Sequence, residues 1–405
     1  MQGLGAGGLM AIALATIGDV IPPRERGRYQ AYFAGVFGVS SVIGPLLGGW
    51  LTDGPGWRWI FFINLPIGAA ALVATSIALR LPLHRREHKI DYLGATLIVA
   101  AVSALLLYLD WRGQNFGWTE GVALVLLGGA VLLAVLFVLV ERRAIEPILP
   151  MRLFRNSIYT VGNVYAFLAG MAMFGAIIFL PLYLQAVKGY SPTKSGLALL
   201  PVILGIFSTA ITSGRMISKT GRYRIYPIMG ALILTVAMWL LTRLHVATPY
   251  WQIGVASYVF GAGLGLTLQT ILVAVQNSVD FRDMGVATSS VAFFRSMGGA
   301  IGTAVFGAVL SSRLAHHLLV IFSGSGAPGQ ALPPGNATQN IKAIQALPEP
   351  IQSKVLLAFT QALHDVFLVG VPFVALAFFV ALFLKEIPLQ TRATPADETA
   401  EALAT

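Results

Sequence analysis

The feature that most constrains this chain is a series of apolar runs, each about as long as the ~20 residues that a helix needs to cross a bilayer. Scanning the sequence at that width predicts eleven spans, which alternate with short loops rich in Pro, Gly and charge. The spans lie near residues 1–21, 31–51, 58–79, 91–109, 119–140, 158–187, 195–216, 225–243, 250–276, 285–311 and 363–384. Only 11% of the residues are charged, against roughly 25% in a soluble domain. The sequence therefore predicts an all-α polytopic membrane protein whose surroundings are the lipid bilayer.

The positions of Lys and Arg indicate how the chain is oriented in the membrane and do not indicate nucleic-acid binding. The net charge is +10, but Lys and Arg occur in small groups between apolar runs and form no single basic face, so no nucleic-acid partner is predicted. Most of them follow the odd-numbered spans, and loops rich in Lys and Arg stay in the cytoplasm. We therefore expect a multi-pass protein of the cell membrane, of the bacterial plasma-membrane type, with a cytoplasmic C-terminus.

Catalytic and cofactor chemistry finds little support in the sequence. The chain has no cysteine, which excludes disulfides and thiolate metal sites. His316 and His317 have no suitably spaced partners for a metal, and the Gly-x-Gly patterns lie inside apolar spans rather than after a strand. No metal, no cofactor and no enzymatic activity are expected.

An internal repeat relates spans 1–2 to spans 9–10. At an offset of 258 residues, glycines and an Arg-acid-x-Gly loop align without a gap, so that Arg24 falls on Arg282 and Gly44 on Gly302. Both copies have the same orientation, as in transporters built from parallel repeats. The counterparts of spans 6–8 would then precede residue 1, so three helices of the N-terminal half are expected to be missing.

This organisation predicts six parts. They are a partial N-terminal bundle of three helices at 1–79, an inserted helix pair with cytoplasmic linkers at 80–157, five helices of a C-terminal bundle at 158–313, a long extracytoplasmic loop at 314–360, the last transmembrane helix at 361–387 and a cytoplasmic tail at 388–405. Within the long loop, the residues near 351–359 have the pattern of a short interfacial helix.

Three motifs carry a resemblance to a known family. They are QGLGAGG at residues 2–8, GPLLGG at 44–49 and WRWIFFINLPIG at 57–68. Together with the inserted helix pair, they resemble the major facilitator superfamily, and within it the fourteen-helix drug:proton antiporter branch. The resemblance implies a major facilitator fold with about eleven of the family's helices present and the first three missing.

The same resemblance implies a function. It is secondary active export of amphiphilic or drug-like small molecules by alternating access, with protons as the coupled ion. A different class of function stays open, namely a non-transporting membrane fragment of such a transporter, from a misplaced start or a degenerate gene. The resemblance places the coupling aspartate on the family's first helix, which belongs to the expected missing part.

The transport motif implied by the resemblance consists of Gln2 and Gly3 in span 1 and of four residues in span 2. These four are Gly44, Pro45, Gly48 and Gly49. Glycines on one face permit close backbone approach, and a proline inside a helix removes a hydrogen bond and can bend it. Simple helix packing and a functional hinge both fit this pattern.

Arg295 is the most informative single residue. It lies about eleven residues into span 10, which at ~1.5 Å per residue places it roughly 16 Å deep. An uncompensated charge at that depth costs at least ~2.5–3.5 kcal/mol, so the side chain should face a cavity, a carboxylate or backbone carbonyls. A functional site is expected, and a structural ion pair or snorkelling is the alternative.

Two further sets of residues complete the candidates. Asp19 lies close to Arg24 and Arg28 in sequence, which favours a cytoplasmic salt-bridge latch over a proton carrier. A cavity for amphiphilic compounds would combine aromatic and Met surface with a few polar groups. The candidates are Asn163, Tyr165, Met171, Phe174, Tyr183 and Gln269, each of which could instead serve helix packing.

Overall fold

The computed structural model of the chain describes most residues from 47 onward. The described residues are 5, 40, 43–44, 47–78, 91–111, 121–144, 147–280, 283–323, 344–345, 347–349 and 351–388. Apart from Gly5, predicted span 1 lies outside them, as does most of span 2. The candidate residues Gln2, Gly3, Asp19, Arg24, Arg28 and Pro45 also lie outside the described residues.

Regular structure in the described ranges is helical, which confirms the all-α prediction. The helices are α1 Trp59–Phe62, α2 Asn64–Ala78, α3 Tyr92–Trp111, α4 Gly121–Glu141, α5 Ser157–Ala186, α6 Pro192–Ala198, α7 Leu200–Thr220, α8 Ile225–Thr242, α9 Tyr250–Asn277, α10 Met284–Ser323 and α11 Ile351–Leu382. Within these ranges, nine stretches are long and apolar enough to cross a membrane. They correspond to predicted spans 3–11.

Local sequence signals fix the ends of several helices. The Asn156 side chain accepts hydrogen bonds from the N–H groups of Ile158 and Tyr159 at the start of α5, and Ser191 caps α6 in the same way. At the end of α7, Gly221 has φ of 70°, a left-handed conformation that glycine adopts without steric cost. These are the residues that terminate helices in soluble proteins as well.

Helices α5 and α7–α11 form one six-helix bundle. Within it, α5 packs on α10 and α11, α9 packs on α7 and α8, and α8 packs on α11. Because the helices alternate in direction, the bundle has two ends. We call them the Leu382 end, where α11 finishes, and the Val187 end, where the loop after α5 begins.

The structure changes the boundaries predicted around the long loop. Helix α10 runs on to Ser323 and α11 already starts at Ile351, so the predicted divisions after residues 313 and 360 fall inside helices. The predicted interfacial helix near 351–359 is the first part of α11. The cause is packing, since Leu314 and Leu318 of α10 are buried in the same cluster as Val355 and Ala358 of α11. With 40 residues, α10 is about 60 Å long, roughly twice the hydrocarbon thickness.

The helices before α5 are more loosely attached. Helices α3 and α4 pack against each other, as expected for an inserted pair, and α3 also contacts α10. Glu141, the last residue of α4, accepts hydrogen bonds from the backbone N–H groups of Ile148 and Leu149 at 3.2 Å each. Residues 47–78 approach the six-helix bundle near Thr193.

Candidate transport site

A small cavity lies between three helices of the bundle, about two to three helical turns from their ends at the Leu382 side. Helices α5, α9 and α10 enclose it, and the side chain of Arg295 from α10 reaches it. The other residues that line it are Tyr165, Ala166, Ala169, Thr267, Leu268, Ile271 and Val291. The structure thus joins the one predicted intramembrane cation to one predicted cavity residue, Tyr165.

The guanidinium of Arg295 is half-buried and has no counterion within the described part of the chain. None of the ion pairs there includes it. The sequence left open whether Arg295 belongs to a functional site or to a structural ion pair, and the described residues contain no ion pair that includes it. A cation held in this way remains available to a ligand.

Polar groups continue along the seam between α5 and α10 towards the Leu382 end. The Tyr159 hydroxyl donates to Ser290 Oγ at 2.6 Å. The Asn163 amide donates to the Tyr159 carbonyl at 2.9 Å, and its own Oδ1 is buried without a hydrogen-bond partner among the described residues. Asn163 is one helical turn before Ala166, so an unsatisfied acceptor lies near the wall of the cavity.

Glycines bring α5 and α10 into contact around Arg295. A Cβ atom on Gly170 would meet the carbonyl oxygen of Arg295, and a Cβ on Gly298 would meet the carbonyl oxygen of Phe167. A Cβ on Gly302 would lie 2.8 Å from Met171 Cα. The backbone of Arg295 is therefore fixed by close helix packing, and only its side chain is free to respond to a ligand.

Most of the predicted cavity residues, including Tyr165, which also lines the cavity, make packing contacts in this structure. Tyr165 and Tyr183 are buried, and their hydroxyls donate to the carbonyls of Pro227 at 2.9 Å and His245 at 2.7 Å. Met171 is buried against Gly302, and the ring of Phe174 covers Gly299. Gln269 is exposed and points away from the cavity lining.

The described part of the predicted transport motif contacts the bundle at the Val187 end. Gly49 is buried, and a Cβ there would lie 2.5 Å from Thr193 Cα, whereas Gly44 and Gly48 have nothing within 4 Å. One turn later, Asp53 Oδ2 accepts hydrogen bonds from the Thr193 hydroxyl at 2.5 Å and the Thr193 N–H at 3.1 Å. Asp53 was not a predicted site residue, because its partner is 140 positions away and no local pattern marks it.

Charged pairs join the helices at both ends of the bundle. At the Leu382 end, Arg152 binds Asp283 at 2.6 Å. At the Val187 end, Asp365 lies 3.0 Å from His317 Nε2 and 3.6 Å from Arg313 Nε. Neither Asp283 nor Arg152 was a predicted site residue, because the two lie 131 positions apart in the sequence.

The surroundings of one loop lysine, Lys188, lower the pKa of its side chain. Lys188, which follows α5, donates through Nζ to the carbonyl of Val246 at 2.6 Å. Burial lowers the pKa of Lys188 below its ordinary value. The described residues contain no group of three or more His, Cys, Asp or Glu side chains that could hold a metal ion.

Comparisons with known proteins match nearly the whole chain. The model of the family described as Major Facilitator Superfamily matches residues 1–303. An MFS-type transporter from Mycobacterium tuberculosis is 38% identical over 98% of this chain and 57% of its own length. The multidrug transporter protein MdtP of Bacillus subtilis is 33% identical over 97% of this chain and 76% of its own. Multidrug resistance protein 3 of the same organism is 31% identical over 97% and 78%.

A solved structure shows the same fold. It is a bacterial homologue of the human lysosomal transporter Spinster, in an inward-facing and occupied conformation, with a TM-score of 0.53 and 18% sequence identity over 95% of this chain and 75% of that one. This chain thus spans only 57% of the length of the mycobacterial relative but three quarters of the solved transporter.

Proposed function

We propose that this chain, which belongs to the Major Facilitator Superfamily, is a secondary active transporter of the drug:proton antiporter branch that exports amphiphilic, drug-like small molecules. The observation that carries the proposal is that relatives named as multidrug transporters align with 97% of the chain at 31% and 33% identity. Arg295 lies about 16 Å from the start of α10, which is near the depth at which transporters of this kind bind their substrates.

Export would proceed by alternating access. The contact of Gly49 and Asp53 with Thr193 joins the residues before α1 to the six-helix bundle at the Val187 end. A cavity at mid-membrane opens to that side only if this contact separates. The contact is small and partly exposed, which suits an interface that closes and opens in each cycle.

The orientation follows from the loop charges. The described loops at the Leu382 end carry Arg142, Arg143, Arg152, Arg155, Arg222 and Lys385, among others. Loops rich in Lys and Arg remain in the cytoplasm. The Leu382 end, and with it the C-terminus, is therefore the cytoplasmic side, and the protruding part of α10 is extracytoplasmic.

Protons are the proposed coupling ion. The test is to reconstitute the chain into liposomes loaded with a lipophilic fluorescent compound, impose a pH gradient and follow its movement together with internal pH. We expect movement of the compound against its gradient and simultaneous dissipation of the pH gradient, both abolished by a protonophore. Movement at a rate independent of the pH gradient would contradict proton coupling. If no compound moves at all, export is contradicted.

Alternating access has its own test, because the chain lacks cysteine. Cysteines introduced as Asp53→Cys and Thr193→Cys can be oxidised to a disulfide that holds the Val187 end closed. We expect oxidation to reduce transport by about tenfold or more and reduction to restore it, with each single variant unaffected by oxidant. Full transport by the cross-linked protein would exclude opening at this contact.

A further inference from the structure

We propose that the cavity at Arg295 recognises acidic groups. The preferred cargo is then an amphiphile that carries a carboxylate, sulfonate or phosphate, rather than a lipophilic cation. This inference rests on the proposed export function and specifies the substrate class of the same cavity.

The first argument is the isolation of the Arg295 charge. An arginine at mid-membrane needs a compensating group or a water-filled cavity, because the hydrocarbon cannot solvate its charge. The whole sequence places no Asp or Glu in the middle of a predicted span. A bound anion is the simplest group that can neutralise the guanidinium.

The second argument is that the described acids near the ends of these helices are either paired or, like Asp280 after α9, exposed at the bundle end. Asp283 binds Arg152, and Asp365 binds His317 and Arg313. Both acids are near the ends of the bundle, on the far side of several helical turns from Arg295. No carboxylate of the described residues is therefore close enough to form an ion pair with Arg295.

The third argument is the chemistry of the lining. The hydroxyl of Tyr165 donates to the Pro227 carbonyl and that of Thr267 to the Leu264 carbonyl at 2.9 Å each. Because each hydroxyl has a single proton, neither is available to donate to a ligand in this arrangement. The guanidinium, which offers several donors in a planar fork, is thus the group that can bind an acid.

The rest of the wall suits the apolar part of such a molecule. Ala166 and Ala169 have small side chains, and Leu268, Ile271 and Val291 present hydrocarbon surface. The cavity volume is about 10 Å³ in this structure, so the hydrophobic body of a ligand would extend out of it between the helices. One charged group among apolar side chains fixes the orientation of a bound amphiphile. The acid would lie at Arg295 and the hydrophobic body would lie along α9 and α10.

The same charge disfavours cations. For two like charges ~6 Å apart at an effective dielectric constant of ~20, Coulomb repulsion corresponds to roughly a 100-fold loss of affinity.

The experiment uses three fluorescent probes with one hydrophobic body. They are pyrenebutyrate, its neutral methyl ester and the cationic pyrenebutyl-trimethylammonium. Binding to the purified full chain is measured by equilibrium dialysis, together with the transport of each probe in liposomes. We expect pyrenebutyrate to bind at least ~10-fold more tightly than the ester and the cation to bind most weakly.

Variants assign the preference to Arg295. Arg295→Gln should bind acid and ester equally, whereas Arg295→Lys should retain part of the preference. The matched control is Arg243→Gln, since Arg243 is exposed at the Val187 end, where it lies over the Trp239 ring at 4.7 Å. This control should leave the order of the three probes unchanged.

Each outcome decides a different point. Tighter binding of the cation, equal binding of all three probes, or an unchanged preference in Arg295→Gln overturns the inference, even if export of the cation is observed. Preferential binding of the acid without transport of any probe overturns the proposed function and leaves the inference standing. If Arg295→Gln fails to fold, the order of the three probes on the unmodified chain decides alone.

Discussion

Helices α2 and α5 have almost the same mean hydropathy but opposite surroundings. In the apolar window of α5, 61% of the residues are buried, whereas in the window that covers α1 and α2 none is. The difference lies in their neighbours, since α5 packs on α10 and α11 and α2 has no comparable contact with the described helices beyond α1. Hydropathy thus identifies a membrane span but does not say whether it faces lipid or protein.

Glycine contacts account for part of this contrast. Gly170, Gly298 and Gly302 each lie against the backbone of a facing helix, whereas Gly44, Gly48 and Gly68 have no neighbour within 4 Å among the described residues. The repeat aligns Gly44 with Gly302, so equivalent sequence positions have opposite packing. In a bilayer, where apolar surface alone does not drive association, such close backbone approach is what holds two helices together.

The largest expected effect comes from filling the seam between α5 and α10. In Gly298→Leu, the new side chain collides with the backbone of Phe167, and overpacking of this kind costs about 3 kcal/mol or more. Thermal unfolding followed by size-exclusion chromatography in detergent should show a clearly lower midpoint or no folded protein. Gly68→Leu is the matched control and should be at least as stable as the parent, because leucine favours a helix by several tenths of a kcal/mol over glycine. Equal effects of the two changes would contradict the comparison.

The next effect concerns the ion pair at the Leu382 end. Arg152→Ala leaves the buried Asp283 carboxylate without its cation, which should cost about 1–2 kcal/mol after allowing for the exposure of Arg152. Arg155→Ala, three residues later in the chain, removes an exposed arginine with no ion pair among the described residues and should change stability little. Chemical denaturation of the purified chain measures both. Adding Asp283→Asn to Arg152→Ala should recover part of the loss, and failure to recover would mean that the carboxylate is not the source of the cost.

A smaller effect is expected where residues 47–53 meet the bundle. Asp53→Ala removes both hydrogen bonds to Thr193, but the exposed site limits the cost to about 1 kcal/mol or less. The change should instead increase the reactivity of a cysteine introduced as Thr193→Cys towards a water-soluble maleimide. Unchanged labelling rates, compared with Asp53→Glu as the conservative variant, would show that the contact does not hold this end closed.

The smallest effect is a pH dependence at the Val187 end. Burial lowers the pKa of Lys188 in the folded chain, so between that value and the unfolded one, near 10.4, the unfolded chain binds more protons. The free energy of unfolding should therefore rise with pH in this alkaline window and be flat below it. Lys188→Met should remove the rise, as measured by denaturation at a series of pH values. A rise of the same size in the variant would assign it to another group.

The candidate site was predictable in part. A charge in the middle of an apolar run is visible in the sequence, so Arg295 could be identified before the fold was known. The roles of Tyr165 and Tyr183 could not, because whether a tyrosine lines a cavity or binds a carbonyl 62 residues away depends on how the helices pack. The contact between Asp53 and Thr193 was invisible for the same reason.

The sequence by itself determined which segments enter the membrane, since apolar length and the cost of an unsatisfied backbone leave helices as the solution for such runs. It also determined the family, through short motifs with fixed residue types. Only the tertiary structure decided where α10 ends, which glycines form seams and which polar group is left without a partner. These properties depend on contacts between residues far apart in the chain, and periodicity along one helix contains no information about the helix that faces it.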